Sequence, residues 1–237
     1  TTLFRSVLNG TKCFITNGGI ADIDIIFANT RKSAGIRGLT AFIVDRGTPG
    51  FSVGKEEEKM GIRASNTCEL IIDNVRVPAT NRLGREGHGF KIAMKTLDAA
   101  RPLVGAVSVG LCQAAFDLAL KYAKEREQFG KPIASFQLVQ AMFADIAMAI
   151  EAARLLVYKA CWLKDQDEEY GRNSAMAKCF AADTAMKVTT DVVQIMGGYG
   201  YSKEYPAEKY MRDAKIMQIY EGTNQIQRLV IANSILY

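Results

Sequence analysis

One histidine, one tryptophan and five prolines stand in 237 residues. The single histidine, His88, excludes a multi-histidine metal site and leaves a Ser-His-Asp triad only one candidate base. Between Gly87 and Gly89 it reads as a loop or helix-start residue. The five cysteines (Cys13, Cys68, Cys112, Cys161 and Cys179) include no CxxC pair. An odd, scattered set fits reduced thiols, not a disulfide framework or a zinc site; no metal is expected. No run of basic residues occurs: 30 Lys and Arg are interleaved with 25 Asp and Glu, and the net charge is +5. That balance argues weakly for anionic ligands and not for nucleic acid. No stretch suggests a transmembrane helix and no signal-peptide pattern opens the chain, so no membrane partner is expected. The first residue is Thr1, and Thr1-Thr2-Leu3-Phe4-Arg5 leads at once into strand-like sequence, which gives the expectation that this is part of a longer chain.

What is present follows two patterns. Residues 1–83 read as strands. Asn9-Gly10 between apolar segments signals a hairpin. Residues 13–16, 23–30, 39–44, 51–53, 68–73 and 75–78 are further β-prone runs, as in an antiparallel barrel or sandwich. From residue 84 to 237 the period becomes helical. Val104, Val107, Leu111, Ala115, Leu118 and Tyr122 share one helical face; Leu138, Met142, Ile146, Ile150, Ala153 and Val157 share another. Pro102 suggests a kink. Residues 175–196 form a third helix ended by Gly197-Gly198, Tyr205-Pro206 opens a short one, and a last helix begins near Ile226. The fold class expected is α+β, a partial antiparallel β-barrel or sandwich followed by an antiparallel four-helix bundle.

Chemistry concentrates in Ile219-Tyr220-Glu221-Gly222-Thr223-Asn224-Gln225. Gly222 allows a tight turn close to a ligand, and Thr223 or Asn224 can cap the last helix. A carboxylate on such a turn, walled by Tyr220, is poorly solvated. Desolvation raises its pKa, which makes it a useful general base near neutral pH. The competing structural reading is a helix-start glutamate favoured by the macrodipole.

In order along the chain, Lys12-Cys13-Phe14-Ile15-Thr16-Asn17-Gly18-Gly19, Arg126-Glu127-Gln128-Phe129-Gly130-Lys131-Pro132, Gln194-Ile195-Met196-Gly197-Gly198-Tyr199-Gly200, Arg212-Asp213-Ala214-Lys215 and the Glu221 segment resemble the acyl-CoA dehydrogenase family, of short- or medium-chain, butyryl-CoA dehydrogenase-like type. The resemblance runs from about residue 8 to the end. It implies the later part of a middle β-domain and a C-terminal four-helix bundle. The family's N-terminal helical domain and its Thr-Glu-Pro flavin segment have no counterpart in these residues.

By that resemblance Glu221 is the base that removes the α-proton of an acyl-CoA thioester, and FAD takes the β-hydride to leave a trans-2-enoyl-CoA. The backbone N–H of Glu221 would help polarise the thioester carbonyl. Phe14 and Thr16 match flavin-ring contacts, with Phe14 as a buried strand residue the competing reading. Arg126, Gln128 and Phe129 match a segment reaching the FAD of a neighbouring subunit. Gln194, Gly197, Gly198, Thr223 and Gln225 match further FAD contacts. Asp98, Arg101, Tyr220 and Gly222 match substrate-binding positions, Asp98 and Arg101 reading equally as an intrahelical ion pair. Ala100 fits the straight-chain arrangement, because some branched-chain members carry their base on that helix.

The resemblance further implies an electron-transfer flavoprotein as redox partner and a homo-oligomer, a tetramer by analogy. Localisation is expected to be cytoplasmic, or the mitochondrial matrix if a presequence is missing. Alternatives are the enoyl-CoA reductase direction, an acyl-CoA oxidase, and a homologue repurposed as a DNA-binding or scaffold protein. The last is opposed by Glu221 and by the interspersed charge.

Overall fold

The computed structural model describes residues 5–237; Thr1-Thr2-Leu3-Phe4, on which the expectation of an interrupted start mostly rested, lie outside the described residues. The chain forms two units, Thr1–Thr96 and Leu97–Tyr237.

In the first unit two antiparallel sheets face each other. One has the order β1 (Arg5–Thr16), β5 (Thr67–Pro78), β4 (Phe51–Glu56); the other has β2 (Ile23–Asn29), β3 (Leu39–Asp45), β6 (Arg82–Leu83). Leu8, Ile26, Phe42, Val44, Cys68, Leu70, Ile72, Val75 and Val77 pack between them. Among the described residues no ladder joins the two sheets, so the arrangement is a sandwich and not a closed barrel.

Asn9-Gly10 corrects the reading of a hairpin there. β1 continues through both, and its pairing with β5 shifts register between Leu8 and Gly10. The two residues expected as a turn form a bulge site. Gly10 has φ 144°, and Asn9 Oδ1 accepts from Asn74 N at 2.8 Å. Opposite, Asn74 adopts φ 51° and lets residues 68–78 run as one strand, not two. The buried positions change parity across it, from Cys68, Leu70 and Ile72 to Val75 and Val77. One extra residue moves the apolar set to the other face, and the bulge restores it.

The second unit is helical. α1 (Gly89–Glu125) begins in the first unit and continues into the second. It is followed by the short pair β7 (Glu127–Gln128) and β8 (Lys131–Pro132), then α2 (Gln137–Asp165), α3 (Gly171–Met196), α4 (Gly198–Tyr201), α5 (Ala207–Lys215) and α6 (Asn224–Leu236). Gln113 meets Arg154 and Phe116 meets Phe143, so α1 and α2 run antiparallel. The chain then returns along α3, with Gln218 opposite Asp183 and Gly222 opposite Lys178. After Gly222 it reverses, and α6 follows α3 in the same direction, Asn224 beside Cys179 and Arg228 beside Asp183.

Ala115, Ala119, Ala123, Ala153, Ala160, Ala177, Ala181 and Ala185 are all fully buried, so these helices approach closely. The core face of α1 includes the one expected, with Val104 and Ala115 buried and Leu111, Leu118 and Tyr122 packed against the core, and is wider than expected. Val107 is exposed, and Ser108, Cys112, Ala115, Ala119 and Ala123 are buried, because contact between close-packed helices selects small side chains over large ones. Leu138 is likewise exposed on α2. The absence of a span-length apolar run also needs correcting. By length and composition alone, α1 is long and apolar enough to cross a membrane. Small residues, Ser108, Gln113 and Asp117 break up the run to the eye, and its apolar side chains serve the helical core.

Pro102 lies inside α1 and the helix continues through it. Proline has no N–H to give the carbonyl four residues back, which is that of Asp98. Ser174 Oγ on α3 donates to that carbonyl at 2.7 Å.

Candidate active site

After α5 the chain passes through a 3₁₀ turn (Ile216–Gln218) and reaches Glu221 in a left-handed conformation, φ 52°, followed by Gly222 at φ 91°. A non-glycine residue in this region costs of order 1–3 kcal/mol and persists only where its surroundings enforce it. The surroundings here are polar and buried. Gln227, 0% exposed, donates Nε2 back to the carbonyls of Glu221 (3.3 Å) and Gly222 (3.0 Å). Lys178, also 0% exposed, donates Nζ to Gly222 O (2.8 Å) and to Asn224 Oδ1 (2.9 Å). Asn224 in turn donates to Cys179 O and to Asp183 Oδ1. Thr223 Oγ1 caps α6 by accepting from Ile226 N at 3.3 Å.

Sequence reasoning missed Lys178, Asp183 and Gln227, and read Asn224 only as a possible cap of the last helix. One signal was available. Lys178 is the only charge in Ala175-Met176-Ala177-Lys178-Cys179-Phe180-Ala181-Ala182, and a lysine inside an apolar helical run is rarely buried without a partner.

The charges of two cations, Lys178 and Arg101, act on the Glu221 carboxylate. Arg101, 4% exposed, is held by Asp98 through Nη1 to Oδ1 at 2.8 Å, so the intrahelical ion pair expected as the competing reading does form. Burial raises the Glu221 pKa above the ordinary glutamate value, and the charges of Lys178 and Arg101 partly offset that rise. Burial pulls Lys178 down to about 8, helped by Arg101 and opposed by Cys179, Glu221 and Asp183. Burial and the Glu221 charge raise Tyr220, whose hydroxyl donates to Met217 Sδ at 3.0 Å. Burial would raise Asp183 as well, but hydrogen bonds from Arg228, Gln218 and Asn224 outweigh it and hold the carboxyl low.

Among the described residues Glu221 Oε2 is buried and has no hydrogen-bond partner; Arg101 Nε and Gln227 Oε1 share that condition. Buried acceptors are nearly always satisfied, so an exception calls for an explanation. A carboxylate oxygen free of N–H donors can take a proton from carbon, which no protein donor can imitate.

The structure thus brings Asp98, Arg101, Tyr220, Glu221 and Gly222 together around one carboxylate. A second group gathers elsewhere in the helical unit. Arg126 lies over the ring of Tyr199 at 5.9 Å, next to Gly197 and Gly198, with Tyr205 packed edgewise on both Tyr199 and Tyr122 and Tyr122 tilted against Tyr199. Gln194, Gly197 and Gly198 are exposed, and Gly197 has φ 61°. Gln128 belongs to the β7–β8 hairpin, whose tip carries Phe129, 90% exposed. Gln225 is exposed in the first turn of α6, beside the Thr223 cap. Phe14 and Thr16 belong to the β-unit. Phe14 is not a buried strand residue: it sits at a register shift between Lys12 and Ile15 with φ 57° and is 73% exposed.

A two-sheet unit followed by a helical unit that holds a carboxylate on a left-handed turn defines an α+β protein. Residues 5–75 match the family described as acyl-CoA dehydrogenase, middle domain, and residues 87–236 match acyl-CoA dehydrogenase, C-terminal domain. The chain belongs to the acyl-CoA dehydrogenase family. It is 56% identical over 229 residues to the short-chain-specific acyl-CoA dehydrogenase of Megasphaera elsdenii, covering 97% of this chain and 60% of that protein. It superposes on the butyryl-CoA dehydrogenase structure from Megasphaera elsdenii with a TM-score of 0.98 at 54% identity, covering 100% of this chain and 62% of that one. A chain in a structure described as the electron transferring flavoprotein of Acidaminococcus fermentans is similar at TM-score 0.97 and 56% identity, over 98% of this chain and 61% of that one. The chain therefore spans about 60% of the length of these relatives.

Proposed function

We propose that the protein is a flavin-dependent acyl-CoA dehydrogenase for short- or medium-chain straight acyl groups, with Glu221 as the base. The observation that carries this is the buried Oε2 of Glu221, which has no hydrogen-bond partner among the described residues and feels the charges of Lys178 and Arg101. The α-proton of a thioester is weakly acidic, and a base with a pKa raised toward neutrality suits it. Proton uptake also turns a buried carboxylate into a neutral acid, which the dry surroundings favour. The charges of Arg101 and Lys178 limit the rise. The backbone N–H of Glu221 is the donor available to the thioester oxygen as negative charge develops there.

The residues present fit FAD. Phe14 and Phe129 offer exposed aromatic faces, Arg126 offers a planar cation suited to phosphate, and the start of α6 offers backbone N–H groups that favour anions. Phe14 and Thr16 would hold the ring system; Arg126, Gln128, Phe129, Gln194, Gly197, Gly198, Thr223 and Gln225 would hold the adenosine and pyrophosphate portion. When bound, the flavin supplies the acceptor for the β-hydride. The outward-pointing hairpin that bears Arg126 and Phe129 supports a homo-oligomer, a tetramer, in which this hairpin serves a neighbouring subunit. An electron-transfer flavoprotein is the proposed oxidant, supported by the likeness to the Acidaminococcus fermentans chain.

Anaerobic titration of the flavin-loaded protein with acyl-CoA of increasing chain length tests the reading. Bleaching of flavin absorbance by butyryl- or octanoyl-CoA, lost in Glu221→Gln, is the expected result. A flavin-loaded protein that no acyl-CoA reduces would overturn it.

A further inference from the structure

We propose that Lys178 is the positioning residue of the base: its buried ammonium fixes the left-handed Glu221–Gly222 turn from below and sets the charge that the Glu221 carboxylate experiences. The inference rests on the reading of Glu221 as the base. It starts from a geometry that secondary structure does not require. Lys178 lies mid-way along the first half of α3, is 0% exposed, and spends its donors on Gly222 O and Asn224 Oδ1. Removing an ammonium from water is costly, and a hydrophobic side chain of similar length is often as stable in such a place. A lysine kept there needs a use.

That use is visible in the turn. Gly222 O accepts from both Lys178 Nζ and Gln227 Nε2, and Glu221 O accepts from Gln227. The two carbonyls are therefore drawn toward α3 and α6, and two successive positive φ angles are held without help from the carboxylate itself. Glu221 Oε2 stays free of donors. An arginine or glutamine could supply the hydrogen bonds but not a compact charge in a space with no access to water. The charged groups acting on this point are Glu221 on the turn, Arg101 from α1, and Asp183 on α3, with Cys179 beside Lys178. Asp183 is already engaged by Arg228, Gln218 and Asn224, which leaves Glu221 and Arg101 as the groups whose balance Lys178 decides. The downward pull of Lys178 on the Glu221 pKa and the upward pull of Glu221 on Lys178 agree in sign.

Carbon-13 NMR titration of the glutamate side-chain carboxyls, with the Glu221 signal assigned by its loss in Glu221→Gln, provides the test without turnover. In unsubstituted protein the Glu221 signal is expected to titrate once on its own account and to show a second, smaller step near pH 8 as Lys178 loses its proton. In Lys178→Met the second step should vanish. The main titration should move up by about one unit, in the range expected for removing a nearby opposite charge. The acid limb of kcat/KM should move with it, kcat falling about tenfold while KM changes little. Lys178→Arg, which restores charge, should return the titration toward the original value even where packing suffers. A single-step titration in unsubstituted protein, or an unmoved titration in folded Lys178→Met, would overturn the proposal, and the first of these can be read even if the Lys178 variants do not fold. Full activity in Glu221→Gln would instead remove the base assignment; inactive Glu221→Gln with an unshifted Lys178→Met would remove only the role of Lys178.

Discussion

Ser174 Oγ donates at 2.7 Å to the carbonyl of Asp98, the one acceptor in α1 that Pro102 deprives of its helical partner. A proline in the middle of a helix costs about 3 kcal/mol in isolation. Here a buried hydroxyl on α3 satisfies the stranded carbonyl, and the same short stretch places Arg101 against the Glu221 turn. Ser174→Ala is expected to lower stability by about 1–3 kcal/mol, the usual cost of leaving a buried acceptor unsatisfied. Urea unfolding followed by circular dichroism measures it. If Ser174→Ala unfolds with an unchanged midpoint, that hydrogen bond is not what lets α1 carry Pro102.

Gly222 has no room for a side chain. An added Cβ would stand 2.6 Å from Gln227 Nε2, which is fully buried and held by two carbonyls, and φ of 91° disfavours any L-residue. Gly222→Ala should cost about 1–3 kcal/mol through backbone strain. It should also reduce kcat more than it raises KM, because the displaced turn carries the base. A thermal melt together with steady-state kinetics separates the two effects; a variant with the parent melting temperature and kcat contradicts the crowding argument.

Two glycines of α1 behave oppositely. A Cβ at Gly105 would lie 2.8 Å from Val157 Cγ2 and 3.4 Å from the Ala177 carbonyl, whereas at Gly110 nothing lies within 4 Å. Replacing a helical glycine by alanine gains up to about 1 kcal/mol of propensity, and overpacking loses about 1–3 kcal/mol. Gly110→Ala should therefore stabilise and Gly105→Ala destabilise. Equal shifts in melting temperature would show that the three-helix contact at Gly105 is looser than described.

Lys178 makes stability depend on alkaline pH. Its folded pKa of about 8 lies below the ordinary lysine value of 10.5, so between these limits the unfolded chain binds a proton that the folded protein does not. Stability must then rise with pH through that window, approaching about 1.4 kcal/mol per pH unit, while below pH 8 the burial cost is fully present. Cys112, pushed up to about 12 by burial, acts in the opposite sense above pH 9. The difference between parent and Lys178→Met, measured by urea unfolding from pH 7 to 9.5, isolates the lysine. A difference that does not change with pH would mean that Lys178 titrates normally in the fold.

The sequence by itself determined the pattern of strands giving way to long helices and the Glu221 turn as the chemical centre. Period, turn residues and the neighbours of a carboxylate are local properties written in adjacent residues. It misjudged Asn9-Gly10 and Asn74, because a turn signal and a bulge signal use the same positive-φ residues, and only the partner strand decides between them. It found most of the core face of α1 but included Val107, which is exposed, and left out Ser108 and Cys112, which are buried, because close helix packing rewards small size over hydrophobicity. Tertiary structure alone decided that Lys178, 43 positions before Glu221, sits beneath it, that Gln227 ties the turn to α6, and that Asn224 ties it to α3. Such contacts join residues that no local periodicity relates. Burial, which sets the pKa values of Glu221 and Lys178, exists only once the helices have excluded water from between them.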